Sequence, residues 1–295
     1  MAPPATGRAG YRLERVPDPV GGGSIPVLVL YPTRAPERPT ALGRYSEQVA
    51  PDAPVAGGDR PLVVVSHGSG GSPLLHRTLA AHLARHGYVV ALPEHPGNNR
   101  DDNSLAGTAR LLAERPRQLR LVVDRLLTDR DLAPEPGRVA LVGHSLGGYT
   151  ALAAAGGLPR AFDRETADRQ ARAVPVVPDP RAAALVLLAP AAAWFGHPGA
   201  LGEVNLPIRM FTAEHDRLTP PWHADVVRAG VPDGRRVEHT VVAGAGHYSF
   251  LSPFPAALVA PTFPPSWDPP GFNRARFHDT LDAEVLDFLR RVSPG

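Results

Sequence analysis

The chain has 295 residues, 43% of them hydrophobic and 20% charged, which suits one large α/β domain and excludes disorder throughout. All 31 basic residues are arginine, the formal net charge is +2 and no basic run occurs, so the chain carries no footprint for nucleic acid. The lack of cysteine excludes disulfides, a thiolate nucleophile and a thiolate-held metal.

Residues 1–10 read as a flexible tail without the apolar core of a secretory leader. No run of about 18 apolar residues follows, so a cytoplasmic protein with no integral membrane segment is expected. Tyr11 to Val16 and Ile25 to Tyr31 predict two strands joined by a turn at Gly21-Gly22-Gly23. Residues 32–60, rich in Pro, Ala and Gly, read as a long surface connection. Leu62 to Ser66 is a short apolar run of the kind buried inside a parallel sheet. His67-Gly-Ser-Gly-Gly71 breaks it, and Leu74 to His86 predicts an amphipathic helix closed by Gly87. Tyr88 to Leu92 is the next strand, and helical segments then run to about Thr128, with Pro116 suited to a first turn.

Val139 to Val142 predicts a strand and Tyr149 to Ala155 a helix, with Gly143-His-Ser-Leu-Gly147 between them. Further strands are expected at Ala184 to Leu188, Ile208 to Thr212 and Val237 to Val242, and Asp279 to Arg291 predicts a closing helix. Strands alternating with helices imply an α/β fold with a mostly parallel sheet and helices on both faces. Residues 11–295 form one domain in this reading, with short excursions at about 159–180 and 252–271.

The G-x-S-x-G spacing at Gly143 to Gly147 places Ser145 on a sharp strand-to-helix turn, where its hydroxyl stands exposed above the sheet. Such a hydroxyl needs a base, and the base needs an orienting acid, both from loops at the carboxyl ends of later strands. Asp216 follows the strand ending at Thr212, and His247 follows the last strand after four small residues. The chain order Ser145, Asp216, His247 is that of a Ser-Asp-His triad on such a sheet. Glu214 competes with Asp216 for the acid but reads as a strand-end or surface residue. Two backbone N–H groups are required for an oxyanion hole, and Leu146 and Ser69 are placed to supply them. His67 reads as a brace for the Ser69 loop. His95, Trp194, Phe195, Tyr248, Phe250 and Trp267 are expected to border an apolar acyl or alcohol pocket. No histidine or carboxylate cluster has metal-ligand spacing, and no cofactor is implied.

These residues resemble the α/β-hydrolase superfamily. Within it the chain is similar to predicted dienelactone hydrolases and to platelet-activating-factor acetylhydrolase-like serine esterases. The resemblance rests on Pro61 to Gly71, His86 to Pro96, Gly143 to Tyr149 and Gly244 to His247, and spans roughly residues 11–291. It implies a cofactor-free serine esterase cleaving small or lipid-like acyl esters through an acyl-enzyme, with a small-molecule ester as its partner. True dienelactone hydrolases carry a cysteine nucleophile, which this chain lacks. The acetylhydrolases place their acid one strand earlier, where this chain has Ala189 to Phe195 without a carboxylate. Cutinases and polyesterases share the elbow and the later acid, and lactone or amide hydrolysis or acyl transfer uses the same chemistry. A non-catalytic binding protein on this fold stands furthest from the motifs present.

Overall fold

The computed structural model describes residues 7–292. Strands β1 (Ala9–Pro17) and β2 (Ser24–Pro32) form the expected antiparallel hairpin, paired from Ala9 with Pro32 to Pro17 with Ser24. Ala9 and Gly10 therefore belong to a strand and not to a tail, and residues 1–6 of that expected tail lie outside the described residues.

The supposed surface connection after β2 is a second correction. It holds β3 (Arg38–Leu42) and β4 (Tyr45–Pro51), antiparallel about Gly43 and Arg44, and β4 runs alongside β1. Only Leu42, Tyr45, Val49 and Ala50 of this hairpin are buried, so its hydrophobic alternation is too sparse to stand out from the Pro and Ala around it.

Six parallel strands follow the expected pattern. They are β5 (Arg60–Ser66), β6 (Val89–Pro93), β7 (Pro134–His144), β10 (Ala182–Leu188), β11 (Ile208–Ala213) and β12 (Val237–Val242), with β8 (Arg160–Ala161) and β9 (Arg172–Ala173) paired as a separate ribbon. The ten-stranded sheet has the order β12-β11-β10-β7-β5-β6-β2-β1-β4-β3. Because side chains alternate along a strand, Leu62 and Val64 of β5 face one layer and Val63 and Val65 the other. The first layer contains α2 (Ala109–Leu127), α3 (Leu146–Ala154) and α4 (Trp222–Gly230), and the second α1 (Arg77–Arg85) and α5 (Arg274–Val292). Each fully buried Val or Leu in these layers contributes about 1.5–3 kcal/mol, which favours this register over a one-residue slip.

Pro116 lies well inside α2, not in its first turn. The helix starts earlier because Thr108 caps it, its hydroxyl accepting from Leu111 N at 3.1 Å. A proline there cannot donate to the carbonyl of Leu112. The hydroxyl of Tyr149, on α3, donates to that oxygen instead, at 2.9 Å. The helix interior thus tolerates the proline because a neighbouring helix supplies the missing donor.

Asp282 of α5 is buried, and its Oδ1 has no hydrogen-bond partner among the described residues. Burial, with Asp279 and Glu47 nearby, pushes its carboxyl from an ordinary 3.8 up to about 7. Between those values the folded chain holds a proton that the unfolded chain has released. Stability is therefore lost as pH rises through this window, and the loss is complete above about pH 7. Asp282→Asn is expected to raise the urea midpoint more at pH 8 than at pH 5. An equal gain at both values would contradict the buried-carboxyl account.

Candidate active site

The carboxyl ends of the parallel strands carry the loops of interest. Between β7 and α3, Ser145 has φ 54° and ψ −118°, a backbone conformation that costs a non-glycine residue on the order of 1–3 kcal/mol. Its N–H donates to Leu188 O at 3.0 Å, and its carbonyl accepts from Ala191 N at 2.9 Å, so the end of β10 clamps it from both sides. The flanking glycines permit the crossing. A Cβ at Gly143 would lie 2.1 Å from Gly147 O, and one at Gly147 would lie 1.9 Å from Ser66 O. The loop after β5 also comes close, since a Cβ on Gly68 would stand 3.3 Å from Ser145 Cβ.

His247 follows β12, and its Nδ1 lies 2.8 Å from Asp216 Oδ2. An ionised carboxylate can only accept, so the imidazole proton sits on Nδ1 and leaves the lone pair of Nε2 free to accept a proton. Ser145 and His247 line the same cavity, though among the described residues Ser145 Oγ forms no hydrogen bond within 3.5 Å. Such bonds are often long without substrate and tighten in the complex. Burial raises the Asp216 carboxyl, but the His247 hydrogen bond and charge, with bonds from Thr219, outweigh it and hold the group below its ordinary value. Asp216 Oδ1 accepts from the N–H groups of Leu218 and Thr219, both at 2.8 Å, and Thr219 Oγ1 lies 2.7 Å from Oδ2. Glu214 is exposed and elsewhere engaged. Its carboxylate accepts from Gly244 N at 2.7 Å and so holds the turn that carries His247.

The N–H groups of Leu146 and Ser69 have no hydrogen-bond partner among the described residues. Behind Ser69 lies a polar network centred on Arg115, which is wholly buried on α2. Its guanidinium donates to Thr150 Oγ1 at 2.9 Å, Asn98 Oδ1 at 2.6 Å, Ser66 Oγ at 3.1 Å and the carbonyl of His67. Asn98 passes the restraint on, donating to Ser69 Oγ at 3.0 Å. All of these acceptors are neutral, and desolvation pulls the Arg115 pKa down to about 9. His67 is also buried and bonds its own loop through Gly68 O at 2.7 Å, and burial first, then Arg115, lowers it to about 3. It braces this loop as a neutral ring.

Two cavities meet at Ser145. One, of about 260 Å³, is bordered by His247, Tyr248, Tyr45, Leu251 and Arg100. The other, of about 210 Å³, is bordered by Leu146, Leu111, Trp194 and Glu165. Ser69, Ser145 and Leu218 belong to both. Of the expected pocket residues, Trp194 and Tyr248 are in place, but four others line neither cavity. Phe195 is buried against the Tyr149 ring and Phe250 against Phe277. His95 is wholly buried between Ser66 Oγ and Gln118 Oε1, both at 2.9 Å, because a strand end that points inward hides its side chain. Trp267 is partly exposed, and its carbonyl accepts from Arg274 at 3.0 Å. Sequence reasoning missed Thr219, Arg115, Glu165 and Tyr45. Thr219 alone left a signal, the Asp216-x-x-Thr219 spacing of a side-chain-capped turn.

Sheet order, strained serine and paired His and Asp together define a protein of the α/β-hydrolase class. The model of the alpha/beta hydrolase family matches residues 62–262, and the chain belongs to that family. A search of curated proteins finds no match. Among solved structures, the chain is similar to a ferulic acid esterase from Streptomyces cinnamoneus, with 21% identity and a TM-score of 0.66 over 97% of this chain and 91% of that one. At that identity the likeness speaks for the fold. Among the described residues no helix is long and apolar enough to cross a membrane.

Proposed function

We propose that this hydrolase-family protein is a serine carboxylic-ester hydrolase that acts on small or lipid-like acyl esters through an acyl-enzyme. The observation that carries the reading is the His247–Asp216 pair at 2.8 Å, opening onto the cavity that Ser145 also lines. Ser145 Oγ attacks the acyl carbon while His247 Nε2 takes its proton. Asp216 stabilises the imidazolium, and the N–H groups of Leu146 and Ser69 receive the oxyanion. Collapse breaks the ester C–O bond, and the leaving alcohol takes the proton from Nε2. Water then repeats the sequence on the acyl-enzyme and releases the acid. The name of the structural neighbour, an esterase, is in keeping with an ester as the bond cleaved.

A fluorophosphonate probe is expected to label wild-type protein at Ser145, with Ser145→Ala unlabelled. Labelling of the variant at an undiminished level would reject the nucleophile. The developing charge is met by backbone dipoles, and no group of three potential metal ligands occurs among the described residues. Hydrolysis of p-nitrophenyl esters should therefore be indifferent to EDTA. Loss of rate on chelation, with recovery on adding a divalent ion, would count against this mechanism.

A further inference from the structure

The two cavities at Ser145 are chemically unlike, and their contents assign the two halves of an ester. Resting on the serine mechanism above, the leaving alcohol must lie on the side of His247, which gives it a proton. His247 borders only the 260 Å³ cavity. The acyl half then extends past Leu146 into the 210 Å³ cavity, whose lining is apolar at Leu111, Leu112 and Ala191. One carboxylate, Glu165, stands in this wall. Trp194 Nε1 lies 3.0 Å from each of its oxygens, and Phe162 N donates to Oε2 at 2.8 Å. The Trp194 ring is itself held edge-on against Tyr149, with centroids 5.0 Å apart.

These contacts fix the carboxylate but use only two donors, whereas a carboxylate has about four lone-pair sites. Among the described residues no arginine or histidine pairs with it within 4.0 Å. A fixed, partly desolvated carboxylate with lone pairs to spare discriminates against ligands that bring no donor to them, because those lone pairs are then left unpaired.

We propose that Glu165 is a specificity-determining residue that selects acyl groups carrying an O–H or N–H donor at their far end. The segment between α3 and β10, which contains Glu165, thus takes part in substrate choice.

Three p-nitrophenyl esters with a common leaving group test this: 3-phenylpropanoate, 3-(4-hydroxyphenyl)propanoate and 3-(4-aminomethylphenyl)propanoate. Wild type is expected to favour at least one donor-bearing ester over the parent by about tenfold or more in kcat/KM. The hydroxyl and ammonium arms separate a neutral from a cationic donor. In Glu165→Gln the ammonium preference should fall towards one, and in Glu165→Ala both preferences should fall. Ratios measured within one variant do not depend on how much of it is folded. A wild-type ratio below about twofold for both esters overturns the proposal without any variant, as does a preference that persists in Glu165→Ala. Active protein labelled at Ser145 but lacking discrimination rejects Glu165 alone. No hydrolysis and no labelling rejects the serine mechanism, and the acyl cavity with it.

Discussion

Ser145→Ala is expected to lower kcat for an activated ester by about 10⁴-fold or more, and His247→Ala by a similar factor. The reason lies in the geometry at the elbow. Ser145 stands on the strained elbow where both cavities meet, and His247, whose Nδ1 is held by Asp216, borders one of them. Removal of either leaves the N–H groups of Leu146 and Ser69, the proposed oxyanion donors, and the cavities in place, so a residual rate above water should survive. The double variant should be hardly slower than either single one, because the two residues act as one device. Steady-state kinetics on the three proteins checks this. Multiplication of the two single losses in the double variant would mean that they act independently, contrary to the mechanism.

Asp216→Asn should cost on the order of 10³–10⁴ in kcat, whereas Glu214→Gln should cost about tenfold or less. Both carboxylates follow β11 within three residues, but their partners differ. Asp216 accepts from His247 Nδ1 and is fixed by the turn through Thr219. Its amide counterpart would present a donor where the imidazole needs an acceptor, which favours the wrong tautomer. Among the described residues the Glu214 carboxylate reaches only Gly244 N, in the turn before His247, so its loss loosens the loop without touching the imidazole. The pair of kcat values decides between them, and a reversed order would move the acid to Glu214.

Much of this arrangement was legible in the sequence because the chemistry imposes local rules. Apolar runs such as Leu62 to Ser66 mark buried strands, and Gly143 and Gly147 mark a crossing with no room for a Cβ. Ser145, Asp216 and His247 each stand just past a strand end, so the sheet itself brings them together. The cavity walls were not legible in this way. Aromatic residues in loops on the correct face divide between cavity and core according to side-chain direction, which short irregular segments do not encode. Phe195 and Trp194 are adjacent and both touch Tyr149, yet Phe195 is buried in the core and Trp194 borders the cavity. Arg115 reads as one more polar position on an amphipathic helix, and its burial follows from the distant loop whose carbonyl it meets. The β3–β4 hairpin, which brings Tyr45 to the cavity, was hidden by composition.

The clamped backbone at Ser145 carries a consequence for how this protein can be changed. Its conformation suits glycine, so the side chain that would do the chemistry occupies the position where a side chain is least comfortable. Directed evolution that selected this chain for heat resistance alone would therefore favour Ser145→Gly, a relaxed elbow and a silent protein. Robustness and turnover are set against each other at one residue, and any library built on this scaffold has to be screened for both at once.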